Sequence, residues 1–208
     1  LENFGLSDDL YIKMNARGRL LTPFENLKAE IQDKSTKNGW ESSRNEIDKL
    51  SYKIDGRWTH FLWQNFKKNN SVDNAHMNFI TTIVMAKLSI GQILKGAERI
   101  ELIRKLNENN SYRELIKYID EDTFNYIYDS YELYCDLFDS GSLPLLTIDM
   151  WRHEPEKNLL YQILLGANTS YTHKVLFFAH TEYLRRNSTI DQTKYEEWMR
   201  VVRNIVSR

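Results

Sequence analysis

Cysteine occurs once in the 208 residues and proline three times. A single thiol has no partner in the chain for a disulfide, so Cys135, inside the aromatic run YDSYELYCDLFD, is expected to fill core space. So few prolines leave long stretches in which nothing interrupts a helix. No run approaches the roughly 18 consecutive apolar residues of a membrane span. The first residues have neither the basic start nor the small-residue cleavage site of a signal peptide, so the expected setting is soluble and cytoplasmic. Glycine-rich phosphate loops, dinucleotide fingerprints, nucleophile elbows and paired-cysteine zinc knuckles are also missing. Nor is there an excess of either charge: 28 basic residues stand against 29 acidic ones, which by itself points to no nucleic-acid partner.

Present instead is a large apolar supply, 41% of residues, enough to fill the core of one domain. Its spacing is helical almost throughout. Trp58, Phe61, Leu62, Asn65 and Phe66 mark one stripe, and Phe79, Ile83, Met85, Ala86, Leu88 and Ile90 belong to a helix apolar nearly all round, hence central. Short helices follow in AERIELIRKLNEN and SYRELIKYI, and Asp122 is the expected N-cap of TFNYIYDSYELYCDLFD. Gly141 and Pro144 bracket a stop at residues 139–144, the one candidate joint in residues 1–208, which otherwise read as a single helical domain. A last helix, capped near Thr189 or Asp191, carries Tyr195, Trp198, Met199, Val202, Ile205 and Val206 along one side. The polar stretches QDKSTKNGWESS and KKNNSVDN read as loops. The expected fold is mainly α, a multi-helix bundle with a short N-terminal strand and elbow.

That elbow lies in LYIKMNARGRLLTPFENLKAE, residues 10–30. Leu10, Ile12 and Met14 alternate with polar neighbours as in a half-buried strand, Gly18 permits a sharp turn, and Thr22-Pro23-Phe24-Glu25 forms a capping box that starts a helix. Asn15, Arg17 and Arg19 gather just before that start, where free amides and the helix dipole favour an anion; a plain surface turn uses the same residues. HEPEK at residues 153–157 lacks the second histidine of a zinc helix, and His60, His76, His173 and His180 have no ligand partner at metal spacing, so no metal is expected and hydrogen-bonded structural histidines are. Acids dominate residues 120–156, while Lys174, Arg185, Arg186, Lys194, Arg200, Arg203 and Arg208 make the last stretch basic. A phosphate-facing surface and ordinary solvated helix faces both fit that asymmetry.

Three segments taken in order, LYIKMNARGRLLTPFENLKA, THKVLFFAHTEYL and EEWMRVVRNIV, resemble the signatures of the GmrSD-type restriction endonuclease N-terminal family, the domain-of-unknown-function 262 group. The Asn-x-x-Gly elbow and Leu-Thr/Ser-x-x-Glu helix start are matched by Asn15, Gly18, Leu21, Thr22 and Glu25, and a Trp-x-Arg-x-x-x-Asn helix by Trp198, Arg200 and Asn204. The resemblance implies a helical domain of a DNA-defence protein that supports a nucleotide-hydrolysing module and contacts DNA. The family's Asp-Gly-Gln-Gln-Arg string is absent, as is a His-Asn-His nuclease segment. The chain is therefore expected to be part of a longer protein, with no complete active site or cofactor of its own. A nucleoside triphosphate with Mg, the missing module and a nuclease domain belong to the intact protein. Asn15, Arg17 and Gly18 are the candidate nucleotide or phosphate contacts; Lys174, Arg200 and Arg203 are the candidate DNA contacts; Thr22, Glu25, Trp198 and Asn204 match motif positions with structural roles. Two rival expectations are a nucleotide site completed here, with Glu25 positioning water, and a protein-interaction scaffold that binds neither nucleotide nor DNA.

Overall fold

A computed structural model describes residues 20–91, 96–109, 111–144, 159–166 and 169–206. The α-helices are α1 (Pro23–Asn38), α2 (Leu50–Lys53), α3 (Thr59–Phe66), α4 (Asp73–Ile90), α5 (Gly96–Asn109), α6 (Tyr112–Leu115), α7 (Glu121–Asp139), α8 (Leu159–Leu165), α9 (Tyr171–Arg186) and α10 (Gln192–Val206). Among the described residues there is no strand beyond a two-residue bridge, so the protein is a mainly α, multi-helix bundle. The expected N-terminal strand and elbow, with Asn15, Arg17 and Gly18, lie outside the described residues, as do HEPEK, Gln92 and Arg208.

Helix α1 begins as its sequence dictates. The Thr22 hydroxyl accepts from the Glu25 amide at 3.2 Å, and Glu25 Oε2 accepts from the Thr22 amide at 2.6 Å, with Pro23 in the first turn. It runs further than the polar stretch QDKSTKNGWESS suggests: residues 32–38 are helical, not loop. Lys37 pairs with Asp33 one turn earlier and Lys34 donates to the Ile116 carbonyl, tying this poor helix former down. Gly39, at φ 69°, then ends α1; its amide donates to Thr36 and that of Trp40 to Ser35, which uses two carbonyls that would otherwise be orphaned.

Helix α4 is the hub. Met77, Phe79, Ile80, Ile83, Val84, Met85 and Leu88 are all buried, and α1, α3, α5, α7, α8 and α9 pack around them. Its two ends depart from the expected all-round burial, since Asn74 and Ile90 are exposed. Facing it, α7 buries Phe124, Ile127, Tyr131, Tyr134 and Cys135. The cap of α7 is Asp120, whose Oδ1 accepts from the Thr123 amide at 2.8 Å, and not Asp122, which sits in the first turn and pairs with Lys87. At the other end the chain turns after Asp139, where Gly141 and Ser142 donate back to Phe138 and Leu137. Trp58 enters from the π turn at Ile54–Trp58 and stacks on Tyr131 at 4.5 Å.

The outermost element, α10, is capped by Asp191, whose carboxylate accepts from the Thr193 and Lys194 amides, and it packs chiefly on α9. One supporting helix covers only a narrow seam. Tyr195 and Met199 are buried in it and Val202 is half-buried, whereas Trp198 is 42% and Ile205 68% exposed. The expected apolar stripe is thus covered along its centre and open at its flank.

Candidate functional site

Five helices and two turns meet around a polar cleft of about 450 Å³. Its floor is apolar, with Phe66, Ala75, Ile163 and Leu164. Its polar side is supplied by the turn after α3 (Lys68, Asn69, Ser71), by Asn74 and Asn78 one turn apart on α4, by Asn107 near the end of α5, and by Thr169 and Lys174 at the start of α9.

The turn after α3 is built by two asparagines. Asn69 and Asn70 both occupy the left-handed region, at φ 52° and 55°, while Lys68 and Ser71 exchange two backbone hydrogen bonds of 3.0 Å. This is a two-residue type I′ turn, for which asparagine is well suited. KKNNSVDN is therefore a tight turn leading into α4, not the open loop its polarity suggests. It presents Lys68 and Ser71 at the mouth of the cleft.

The opposite wall depends on Gly166. Its backbone passes so close to α8 that a Cβ atom would lie 2.3 Å from the Gln162 carbonyl oxygen and 2.7 Å from Thr169 Oγ1. Thr169 Oγ1 donates to that same carbonyl at 2.9 Å, and Asn78 Nδ2 donates to the Leu164 carbonyl at 3.0 Å. The negative end of α8 is thereby quenched where it meets the cleft. Gly166→Ala is expected to cost about 1–3 kcal/mol by overpacking, read as a lower urea midpoint; an unchanged midpoint would mean that this turn readjusts freely.

Electrostatically the cleft is one-sided. Lys68 and Lys174 line it, and no described lining residue is a carboxylate. Lys174 is half-buried, its ammonium has no hydrogen bond or ion pair among the described residues, and burial lowers its pKa to about 8. Asn107 Oδ1 is buried there with no donor among the described residues. The arrangement offers cationic donors and one waiting acceptor.

Of the other residues singled out from sequence, Glu25 and Thr22 cap α1, each side chain accepting from the other residue's backbone amide. Trp198 Nε1 donates to the Ala179 carbonyl at 3.0 Å and so pins α10 to α9. Asn204 accepts from Arg203, and Arg200 is exposed with no partner among the described residues. Neither Arg200 nor Arg203 lines the cleft that holds Lys174. Much of the basic C-terminal stretch is neutralised within the fold: Arg185 meets Asp129 at 2.8 Å, Arg186 meets Glu182 at 2.7 Å and Lys194 meets Asp191 at 3.7 Å. Most acids of α7 are committed in the same way. Glu132, Asp136 and Asp139 all reach Arg57, and Glu132 also holds Lys53 and the Trp58 indole.

Two buried histidines complete the inventory. His76 lies between the Tyr131 hydroxyl at 2.8 Å and the Thr59 hydroxyl at 3.0 Å, stacked on Phe24; His180 meets the Tyr195 hydroxyl at 2.9 Å. Burial lowers both to a pKa of about 3, so both are neutral and structural. Among the described residues no three His, Cys, Asp or Glu side chains come together as a metal ion requires. No described helix is long and apolar enough to cross a membrane.

No family model, curated protein or solved structure matches the chain. The cleft was illegible in sequence because five separate helices assemble it. The asparagine-rich stretch around Asn69, Asn74 and Asn78 was the available signal.

Proposed function

We propose that this chain is the helical domain of a restriction-type DNA-defence protein, supporting a nucleotide-hydrolysing module at its N-terminal elbow and touching DNA phosphates with its last helix. The three ordered sequence segments support the family reading. The observation that carries the DNA contact is the sorting of cations at the C-terminal end: Arg185, Arg186 and Lys194 are ion-paired, whereas Arg200 is exposed and unpaired among the described residues. So few available cations fit an auxiliary contact better than a primary DNA-binding surface.

Fluorescence anisotropy of labelled duplex DNA over a salt series tests this. Weak binding is expected, with a log–log salt slope of about −2, as for roughly two phosphates neutralised, and it should be lost in the Arg200→Ala, Arg203→Ala double variant. Absence of binding at low salt would favour the second reading, a protein-interaction scaffold. That alternative has its own support: Trp198, Val201 and Ile205 are exposed on the same helix, and apolar surface of this kind marks protein contacts.

A further inference from the structure

The cleft between α4, α5, α8 and α9 has features that neither a DNA contact on α10 nor a scaffold role uses. Lys174 is the telling residue. A lysine set among Asn74, Asn78 and Thr169, with no carboxylate in the described lining and no side-chain partner among the described residues, carries a desolvation cost that none of the described residues offsets. A structural lysine would be expected to reach an acid, as Lys53 reaches Glu132 at 2.9 Å, or a helix end, as Lys34 reaches Ile116. Lys68 brings a second cation to the same space on a turn whose geometry is fixed by paired backbone bonds. The α8 carbonyls that would repel an anion are already capped by Asn78 and Thr169. Asn107 Oδ1 supplies the opposite polarity, a buried acceptor without a donor among the described residues.

We propose that this cleft is a binding site for a small phosphorylated ligand, its phosphate held between Lys174 and Lys68 and a hydroxyl or amine of the same molecule donating to Asn107. Two ammonium groups with asparagine and serine donors suit a compact, multiply charged oxyanion. A volume of about 450 Å³ admits a sugar-phosphate-sized molecule and no duplex. The apolar floor of Phe66, Ile163 and Leu164 would meet the carbon face of such a ligand.

Isothermal titration of the full chain with ribose 5-phosphate and, separately, with inorganic phosphate tests the site, with sodium chloride at matched ionic strength as blank. Saturable one-to-one binding is expected for ribose 5-phosphate, weakened roughly tenfold or more in Lys174→Met, as for the loss of one charged contact, and also weakened in Lys68→Met. Lys68 is exposed, so its replacement leaves the fold intact and keeps the test readable if Lys174→Met misfolds. Weaker binding in Asn107→Leu for ribose 5-phosphate but not for inorganic phosphate would place the ligand's hydroxyl at Asn107. Equal binding of both probes, insensitive to Asn107→Leu, would mark a free-phosphate site and overturn the phosphorylated-ligand assignment. Absence of saturable binding at millimolar concentration, or affinity unchanged in both lysine variants, would overturn the site. Displacement of the probe by duplex DNA would overturn the small-molecule assignment and give the cleft to a DNA phosphate. That result is distinguishable from failure of the DNA contact on α10, which the arginine variants report separately.

Discussion

Acidification from neutral pH to about pH 4.5 is expected to remove about 4–5 kcal/mol of stability through two histidines alone, at 1.36 kcal/mol per unit of pKa difference. His76 and His180 are held at a pKa of about 3 in the fold, against 6.5 when solvated. Between those values the unfolded chain binds a proton that the folded chain refuses. Stability therefore rises with pH through this window, is unaffected by these groups above it, and falls as pH drops from 6.5 towards 3. A loss of this size is a large share of the usual 5–15 kcal/mol, so a marked loss of stability in mild acid follows. Urea titrations at the two pH values measure it. His180→Asn, whose amide can still meet the Tyr195 hydroxyl, should recover about half of the acid loss, and an unchanged pH slope in that variant would show that His180 takes up its proton while folded.

Replacement of Glu132 by alanine is expected to cost about 3 kcal/mol, the scale on which buried or partly buried ion pairs fail when one partner is removed. One carboxylate serves three donors: Oε2 accepts from Lys53 at 2.9 Å and lies 3.5 Å from Arg57, while Oε1 accepts from the Trp58 indole. Glu132 and Lys53 are only 24% and 17% exposed, so solvent replaces the lost partner poorly. The consequence is structural as well as electrostatic. Trp58 is fully buried and stacked on Tyr131, and its N–H would be left without an acceptor. Glu132→Gln keeps an acceptor for the indole and should cost roughly half as much. Chemical denaturation of both variants checks the order; equal, sub-kilocalorie effects would mean that water screens the cluster.

The helical architecture was legible because it is written locally. The capping box at Thr22 and Glu25, the three-and-four spacing of Trp58, Phe61, Leu62 and Phe66, and the predominantly apolar sequence of α4 need no distant information. Where composition alone guided the reading it failed in a consistent direction. Residues 32–38 look like loop but are held helical by Lys34 and Lys37, and Asn69-Asn70 looks like open coil but forms a tight turn. Asp120 displaced Asp122 as a cap because the two are equally good chemically, and only the path of the chain decides between them. Part of the charge asymmetry is taken up inside the fold for a related reason. Acids on α7 and bases far away in sequence, such as Glu132 with Lys53 and Asp129 with Arg185, cancel across the bundle, and sequence order hides such pairs. The cleft was hidden more completely, since Lys68, Asn107 and Lys174 become neighbours only when α4, α5, α8 and α9 pack.

Cys135 is 1% exposed on α7, and burial pushes its thiol up to a pKa of about 12. At neutral pH it is neither ionised nor reachable, so alkylating and maleimide reagents will pass it by while the protein is folded. The native chain therefore serves as a ready background for spectroscopic labelling. Cysteines introduced in pairs on exposed turns can carry fluorophores or spin labels without first removing the natural one. Slow modification of Cys135 itself would then act as an internal clock for global opening of the bundle.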